Sequence, residues 1–492
     1  MTINIGLDDL LLISPMLCLF IFSLVPLTLK VLNNNQEPSA SLTQASALMG
    51  VAIALFLTVL LKGEQSRAAF ENALVFDGLS FWVGVVVLAL VGVSLALMFE
   101  HAAIKGAHFS EQIFLALNAA SGMLVLLWSN DLIVTFVGIE TMSLALYLMI
   151  ALGREEVLSK EAAFKYFILG SFASAILLYG ISFVYGVTGT TYIDELTQIT
   201  EKVINMNKLF LFGFFLVVVG FCFKTSIFPF HNWTPDVYQG APTPISAFMA
   251  TAVKFVTFAA FLRFILTKGL AGSDAMVDVL QWLAVVTMLV GNTTAILQNN
   301  FKRMLAYSSI AHSGYILVGL IAAGVSEQGM SGAGASGLVF YLFTYSIMTV
   351  GAFAFVSILE RNENTILHVS DIRGMAGKHP IAALGLTVLM LSLAGLPPTL
   401  GFFGKFYVFS AAISEGFVWL AVWGMLNSAV AVYYYLRPVV LMYMEEGEAV
   451  PLMQSKILTH LVLVFSVVAI ILFGLVPGTF YDSMQAAMMS VF

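Results

Sequence analysis

Four ionisable side chains lie in the middle of long apolar runs of this sequence, where a charge is costly. They are the acid Glu140 and the lysines Lys224, Lys254 and Lys405. A charge at the centre of a bilayer costs at least ~2.5–3.5 kcal/mol on insertion scales. Four uncompensated charges would therefore cost on the order of 10 kcal/mol, which is comparable with the stability of a whole domain. Such residues must face protein or water, and they are candidates for an ion pathway.

The chemistry that these four residues suit best is the relay of protons. Burial disfavours the charged form of a lysine, and a nearby carboxylate favours it. A change in the distance between Glu140 and Lys224 would therefore switch whether the lysine holds a proton. The alternative is a structural ion pair between these two residues. One acid cannot serve three bases, however, so a structural pair leaves Lys254 and Lys405 unexplained.

Several further polar residues lie close to these positions. His312 lies in the middle of another apolar run, and histidine titrates near neutrality and can pass protons. A histidine held by core hydrogen bonds is the alternative interpretation of His312. His231 could help a proton to cross the run that contains Lys224. The remaining candidates could hold water along a path: Lys165, Tyr307, Thr225 and Ser226.

The composition indicates the medium in which these residues lie. The chain has 492 residues, of which 60% are hydrophobic and only 10% are charged, against about 25% charged in globular domains. Its mean hydropathy is +0.96, so lipid must solvate much of its surface. Cys18 and Cys222 are the only cysteines, and two thiols cannot by themselves ligate an iron–sulfur cluster. The net charge of −7 includes no basic tract for nucleic acid.

The apolar runs predict an all-α polytopic membrane protein, because a bilayer core needs roughly 20 apolar residues per helix. We count fourteen such runs, near residues 9–31, 42–61, 78–99, 112–128, 131–152, 163–186, 209–238, 244–267, 276–297, 304–323, 336–360, 382–412, 417–443 and 457–480. No soluble domain fits between them, so we expect no redox cofactor or metal in this chain. The GxGxxG segment at 332–337 follows no strand, and we interpret it as a loop.

Two of the runs are interrupted by proline, which breaks a helix. Pro229 and Pro235 interrupt the run with Lys224, and the pair Pro397-Pro398 interrupts the run with Lys405. Irregular backbone at membrane depth is tolerated where it is buried in protein or lines a polar cavity. Both lysines also end a G-F-x-x-K motif, and each lies in the fourth span of a block of five.

Blocks with an odd number of spans must be inverted relative to one another, as in many transporters. We therefore predict two inverted five-helix repeats, each with a broken helix. The predicted units are N-terminal helices at 1–111, a first repeat at 112–267, a second repeat at 276–443 and a C-terminal helix at 444–492.

Lysine and arginine counts predict the orientation. The odd-numbered connections and their flanks hold twelve: Lys30, Lys105, Arg154, Lys160, Lys165, Lys302, Arg303, Arg361, Arg373, Lys378, Arg437 and Lys456. The even-numbered ones hold six: Lys62, Arg67, Lys202, Lys208, Arg263 and Lys268. This excess places the odd-numbered connections in the cytoplasm. Both termini would then face the periplasm of a bacterial inner membrane.

The sequence around the breaks resembles a known family. Residues 224–248 read KTSIFPFHNWTPDVYQGAPTPISAF, residues 396–406 read LPPTLGFFGKF, and GIET and AYSSIAHSGY occur at 138–141 and 306–315. These segments resemble the N-type antiporter-like subunits of proton-translocating NADH:quinone oxidoreductase, respiratory complex I. The resemblance covers essentially the whole chain.

This resemblance implies roles for the same residues. Glu140 and Lys224 match the coupled ion pair of the family, and Lys254 matches its central relay lysine. Lys405 matches the lysine of the second broken helix, and His312 matches a histidine of the hydrophilic axis. NADH, flavin, iron–sulfur clusters and quinone would lie on partner subunits, and an M-type antiporter-like subunit would be a neighbour. Alternatives are a subunit of a multisubunit cation/proton antiporter and a non-conducting membrane scaffold.

Overall fold

The computed structural model describes residues 6–489, apart from 64–65, 102, 105, 107, 154–156, 197, 199–206, 267–273, 326–331, 361–366, 448–450 and 454–455. Its helices are α1 (Leu7–Leu12), α2 (Ser14–Leu32), α3 (Ala40–Leu60), α4 (Gly78–Glu100), α5 (Phe109–Trp128), α6 (Leu132–Gly153), α7 (Val157–Thr188), α8 (Lys208–Lys224), α9 (Trp233–Gly240), α10 (Thr243–Ile265), α11 (Asp274–Ile296), α12 (Phe301–Val325), α13 (Gly332–Leu359), α14 (Met375–Lys378), α15 (Pro380–Ala394), α16 (Leu400–Ser414), α17 (Val418–Met444), α18 (Ile457–Leu475) and α19 (Pro477–Met489). A small antiparallel pair, β1 (Arg67–Ala69) and β2 (Leu74–Phe76), joins α3 to α4 with Ala68 opposite Val75.

The architecture confirms an all-α polytopic membrane fold. In the described part of the chain, eleven helices are long and apolar enough to cross a membrane, and α15 and α16 are shorter apolar helices. Each of the fourteen predicted runs corresponds to one helix or to two consecutive helices. The last run divides, because α18 ends at Leu475 and Pro477 opens α19. Proline is tolerated at a first helical position, where its missing N–H would have no intrahelical partner.

The first broken span consists of α8 and α9. Helix α8 ends at Lys224, and residues 225–232 form the break, with Ser226 at φ +61° and a cis peptide bond before Pro229. Pro235 was predicted to interrupt the helix, and that prediction is wrong. It is the third residue of α9, in the first turn, where a helix does not need its N–H.

The second broken span consists of α15 and α16, with Pro397 and Pro398 in the break as predicted. Gly395 ends α15 with φ +84°, a left-handed conformation that favours glycine. Lys405 lies beyond this break, on α16, whereas Lys224 lies before the first break, on α8. The G-F-x-x-K likeness therefore falls on opposite sides of the two breaks and does not align them.

The core of the fold is formed by α10, α12 and α13. Nearly all of their side chains are buried within this chain, whereas more than half of those in the apolar stretches of α2, α3, α7 and α18 are not. The central helices are thus shielded from lipid by other helices of the same chain. They carry Lys254 and His312, so these polar groups are surrounded by protein.

Two other sequence predictions meet the structure here. The GxGxxG segment at 332–337 forms the first turns of α13, so its interpretation as a loop is wrong. Its glycines admit close packing: a Cβ on Gly334 would lie 2.7 Å from the backbone nitrogen of Ala323. Of the residues used to predict orientation, five lie outside the described residues: Lys105, Arg154, Lys202, Lys268 and Arg361.

Candidate proton relay

Lys224 is the last residue of α8, and its ammonium group is buried against α6. Its Nζ donates hydrogen bonds to Ser143 Oγ at 2.7 Å and to Tyr147 Oη at 3.2 Å. The rings of Tyr147 and Tyr166 lie 5.5 Å from the same atom. A helix C-terminus carries partial negative charge, so the end of α8 favours a cation at this place. The break directly after Lys224 thus creates a binding place for its charge.

Glu140 lies one turn from Ser143 on α6 and accepts a hydrogen bond from Ser174 of α7. Among the residues that the structure describes, no direct ion pair joins Glu140 to Lys224. Glu140 and Ser143 are three residues apart, so they are neighbours on one face of α6. Glu140 therefore lies next to a residue that accepts a hydrogen bond from Lys224.

Hydroxyl groups of α12 connect the surroundings of Lys224 to those of Lys254. Ser313 Oγ donates to the carbonyl oxygen of Thr225 at 2.5 Å and to that of Ser309 at 3.2 Å. Lys254 Nζ donates to Ser309 at both its carbonyl oxygen and Oγ, each at 2.6 Å. A short run of hydrogen bonds thus leads from the residue after Lys224 to Lys254.

Lys254 follows directly on a π-helical turn, Met249–Val253, within α10. Such turns are uncommon and occur frequently at functional sites. The lysine is only 2% exposed, and the ring of Tyr345 lies 5.5 Å from its Nζ. Tyr345 Oη in turn donates to Ser309 Oγ at 2.8 Å. In the described part of the chain, Lys254 Nζ is held by the two oxygens of Ser309, and no carboxylate pairs with it.

His312 lies on α12 with hydrogen bonds at both ring nitrogens. Its Nδ1 is 2.6 Å from Tyr341 Oη, and its Nε2 is 3.0 Å from Tyr435 Oη. Tyr435 Oη also pairs with Ser308 Oγ. His312 is therefore a satisfied core histidine, as the alternative interpretation had it. Both partners are hydroxyl groups, which donate and accept, so this arrangement is also compatible with passing a proton.

Lys405 reaches back from α16 to the end of α15. Its Nζ donates to the carbonyl oxygens of Leu393 and Ala394, at 3.2 and 2.8 Å, and to Ser428 Oγ at 2.8 Å. Like Lys224, it places its charge at the C-terminus of a half-helix, where the dipole favours it. Lys405 lines a cavity of about 500 Å³ between α15, α16 and α17, whose other walls are mostly apolar.

Tyr315 occupies the space between His312 and Lys405. Its ring centroid lies 5.7 Å from that of His312 and 5.1 Å from Lys405 Nζ. Its hydroxyl accepts a hydrogen bond from Asn292 Nδ2 at 3.0 Å, and Asn292 Oδ1 accepts one from Tyr434 Oη at 3.1 Å. These groups extend the polar axis from the core towards the second break.

The remaining sequence candidates lie in and around the first break. Lys165 forms ion pairs with Glu161 at 2.7 Å and Asp236 at 2.9 Å, and Asp236 also pairs with Arg303 at 2.7 Å. These partly exposed groups lie beside Tyr166, which faces Lys224, so they form a hydrophilic mouth near the first lysine.

Two further candidates, Ser226 and His231, lie inside the break. Ser226 Oγ lies 2.6 Å from Thr234 Oγ1 and ties the two ends of the break together. His231 is buried, and its Nδ1 has no hydrogen-bond partner among the described residues. Tyr307 is only partly buried on α12.

Sequence reasoning missed the hydroxyl-bearing residues that contact the lysines and His312 or that link these contacts. They are Ser143, Tyr147, Ser309, Ser313, Tyr315, Tyr341, Tyr345, Ser428 and Tyr435. The density of hydroxyl side chains in 307–315 was the available signal. Serine in a helix usually bonds its own backbone, so its type does not reveal a partner on another helix.

Comparison with known proteins identifies the class to which this fold and this site belong. Residues 129–431 match the family described as NADH:quinone oxidoreductase/Mrp antiporter, TM. This region contains both broken helices and all five predicted relay residues. The chain is thus a membrane protein of the antiporter-like class.

The most similar full-length relatives identify the member of that class. A protein of Bdellovibrio bacteriovorus named NADH-quinone oxidoreductase subunit N is 56% identical over 99% of this chain and 100% of its own length. A chain in the structure of respiratory complex I from Thermus thermophilus with bound aureothin has 32% identity and a TM-score of 0.81, covering 96% of this chain and 100% of that one. A chain of the Mrp complex from Dietzia has a TM-score of 0.78 over 98% and 97%, but only 19% identity, which shows the fold alone. The chain belongs to the family of NADH-quinone oxidoreductase subunit N.

Proposed function

We propose that this chain translocates protons as a membrane-arm subunit of NADH:quinone oxidoreductase, an enzyme of the translocase class. NADH oxidation and quinone reduction, with flavin and iron–sulfur clusters, would take place on partner subunits and drive the pump. The observation that carries the proposal is the buried run of hydrogen bonds from Thr225, the residue after Lys224, through Ser313 and Ser309 to Lys254. Family membership supports the coupling to redox partner subunits, and the run of hydrogen bonds supports a pathway for protons.

The relay follows the order of contacts. A cytoplasmic proton reaches Lys224 past the mouth formed by Lys165 and Asp236, and it moves on to Lys254. A change in the distance between Glu140 and Lys224 then makes the relay lysines release the proton. The proton passes His312 and leaves by Lys405 on the far side. Hydroxyl groups can donate and accept in turn, so side-chain rotations and bound water suffice for these steps.

The two predicted repeats would act as half-channels on opposite sides of Lys254. Residues 112–267 would contribute the cytoplasmic half, and residues 276–443 would contribute the periplasmic half. The N-terminal helices at 1–111 and the C-terminal helix at 444–492 would flank them. We place the odd-numbered connections in the cytoplasm and both termini in the periplasm of a bacterial inner membrane. An M-type antiporter-like subunit would be the neighbour within the bilayer.

A cation/proton antiporter subunit would use the same lysines and the same breaks. Identity to curated relatives favours the oxidoreductase, because the likeness to the Mrp chain is restricted to the fold. The two functions differ in their partner chains. Purification with flavin-containing and iron–sulfur subunits supports the oxidoreductase, whereas purification with other membrane chains alone supports the antiporter.

The proposal is tested by Lys224→Ala in inverted membrane vesicles. NADH-driven acidification, NADH:quinone turnover and assembly of the complex are measured together. We expect a fully assembled complex that has lost proton pumping and coupled turnover. Lys208→Ala is the matched control, because Lys208 is the exposed first residue of the same helix.

An unchanged ratio of protons to electrons at unchanged turnover in Lys224→Ala would contradict the relay. The lysine would then serve only the structure, as the non-conducting scaffold alternative requires. If the variant does not assemble, Lys224→Arg retains the charge and tests whether the position tolerates a base that does not release its proton.

A further inference from the structure

A second buried polar cluster lies outside the relay, where the ends of five helices meet. His101 follows α4, Thr243 opens α10, Lys302 is the second residue of α12, Glu360 follows α13, and Lys456 precedes α18. Each of them is at most 6% exposed. All five belong to odd-numbered connections, which the charge balance assigns to the cytoplasmic side. Neither the sequence motifs nor the relay accounts for this cluster.

Glu360 is the centre of the cluster. One carboxylate oxygen lies 2.9 Å from Nε2 of His101, and the other accepts a hydrogen bond from Thr243 Oγ1 at 2.7 Å. Lys302 Nζ is 3.9 Å from the second oxygen and donates to the carbonyl oxygen of Ala241 at 2.7 Å. An acid and an imidazole in direct contact at this distance can share one proton, and the lysine beside them stabilises the ionised acid.

The other charged groups near Glu360 are engaged by the backbone. Lys456 Nζ donates to the carbonyl oxygens of Ser357 at 2.5 Å and Glu360 at 3.0 Å. The carboxylate of Glu100 accepts from the backbone N–H groups of Leu458 and Thr459, at 2.9 and 2.8 Å, and so caps α18. Among the residues that the structure describes, the carboxylates of Glu100 and Glu360 balance the ammonium groups of Lys302 and Lys456, so the protonation of the His101 imidazole would decide their net charge. The cluster therefore has room for one exchangeable proton.

The cluster shares two helices with the environment of Lys254. Thr243 begins α10, which carries Lys254, and Lys302 lies on α12 seven residues before Ser309. Seven residues are about two helical turns, or roughly 10 Å, along one helix face. Ser309 holds Lys254 by two hydrogen bonds. Lys302 of the Glu360 cluster and Ser309, which holds Lys254, thus lie on the same face of α12.

We propose that Glu360 and His101 form a proton-accepting site that loads Lys254 from the cytoplasmic ends of α10 and α12. This inference rests on the proposed function, since it adds a loading step that the same relay requires besides uptake through Lys224. The competing interpretation is a purely structural clasp of five helix ends. A clasp requires the hydrogen bonds of Glu360, whereas proton uptake also requires its ability to ionise.

The decisive variant is Glu360→Gln, because the amide keeps an acceptor for Thr243 and a partner for His101. We measure NADH-driven acidification in inverted vesicles of the assembled complex, together with subunit content and the midpoint of thermal unfolding. A positioned acid–base group contributes at least about a hundredfold, so we expect proton translocation to fall by at least about tenfold with assembly unchanged. Glu360→Asp restores a carboxyl group and should recover part of the activity.

His101→Gln is the second variant, and it removes the imidazole that contacts Glu360; histidine is the side-chain type whose charge commonly changes between about pH 5 and 8. We expect it to flatten the pH dependence of translocation between about pH 5 and 8. Glu445→Gln is the matched control, because Glu445 is an exposed acid outside the cluster, in the connection that ends at Lys456, and pairs with Arg373 at 2.7 Å. It should leave translocation and its pH profile unchanged.

Translocation within twofold of wild type in assembled Glu360→Gln would overturn the inference and leave a structural clasp. If Glu360→Gln does not assemble, an unchanged pH profile in His101→Gln overturns it instead. Lys224→Ala in the same vesicles separates this outcome from a failure of the proposed function. Loss of pumping in Lys224→Ala with none in Glu360→Gln contradicts only the uptake site, whereas retention in both contradicts the relay itself.

Discussion

The hydroxyl group of Ser309 offers a sharp test of how Lys254 is held. Ser309 Oγ accepts hydrogen bonds from Lys254 Nζ at 2.6 Å and from Tyr345 Oη at 2.8 Å. Ser309→Ala removes this acceptor and leaves Lys254 with the carbonyl oxygen of residue 309, which lies at 2.6 Å. Alanine is a good helix former, so we expect α12 to keep its course.

The size of the effect follows from the kind of hydrogen bond that is lost. A hydrogen bond to a charged group contributes about 1.5–3 kcal/mol, and each 1.4 kcal/mol is a factor of ten. The protonated form of Lys254 should therefore be disfavoured by about 10- to 150-fold. We expect NADH-driven acidification of inverted vesicles to slow by at least about tenfold, with the amount of assembled complex unchanged.

Two further variants make the result specific. Ser309→Thr keeps the hydroxyl group and should retain most of the rate. Ser336→Ala removes another buried hydroxyl group, which bonds only to Gly332 of its own helix in the described structure, and it should behave as wild type. A rate in Ser309→Ala within twofold of wild type would refute the role of this contact.

Two other predictions concern how the breaks and helix ends position the relay. Gly395 has φ +84°, and a Cβ added to it would lie only 2.9–3.0 Å from Cδ and Nζ of Lys405. Gly395→Ala should therefore lower the stability by about 1–2 kcal/mol because of its left-handed backbone, and it should also slow the acidification of vesicles. Gly416 has φ +86° with open space around it, so Gly416→Ala should show the same strain in thermal unfolding without a loss of pumping. Burial opposes the ionisation of Asp77, but the charge and hydrogen bonds of Arg263, at 2.8 and 3.1 Å, outweigh it and hold the pKa of the Asp77 carboxyl below its ordinary value. Arg263→Met should therefore lower the unfolding free energy by about 3 kcal/mol, as for a broken buried ion pair, measured by pulse proteolysis at neutral pH. Because the folded-state pKa is depressed, the contribution of the pair is present at neutral pH and is lost as the pH falls through that pKa; equal stability of Arg263→Met and wild type at pH 7 would contradict this.

Much of the fold could be predicted from the sequence because lipid imposes simple rules. An apolar run of about 20 residues must form a helix to satisfy its backbone, and all fourteen runs do so. The four ionisable residues in these runs could also be recognised from the sequence, because a charge in the bilayer costs free energy and is therefore rare there. The breaks at Pro229 and at Pro397-Pro398 followed from the hydrogen bonds that proline cannot make.

Local context decided the cases in which the sequence misled. Pro235 lies in the first turn of α9, because the helix had already been interrupted by the residues before it. The glycines at 332–337 form a helix in which one glycine packs against the backbone of α12, as the 2.7 Å approach to Ala323 shows. Neither outcome depends on residue type alone.

The partners of the charges could not be predicted, because they come from distant parts of the chain. Lys224 bonds to Ser143, 81 residues away, and Lys254 bonds to Ser309, 55 residues away. Serine and tyrosine are unremarkable in apolar helices, so only the packing of helices reveals which of them face a lysine. The cluster around Glu360 escaped notice for the same reason, since His101 and Glu360 are separated by 259 residues.

The central claim is that protons cross this chain through Lys254, and the most direct test is the ratio of protons to electrons. Lys254→Met preserves the length and apolar contacts of the side chain and removes its proton-binding group. With the assembled complex reconstituted in sealed vesicles, acidification and NADH oxidation are recorded in the same sample. We predict that translocation through this subunit stops, so the ratio falls or coupled turnover falls with it. An unchanged ratio at unchanged turnover would contradict a relay through Lys254.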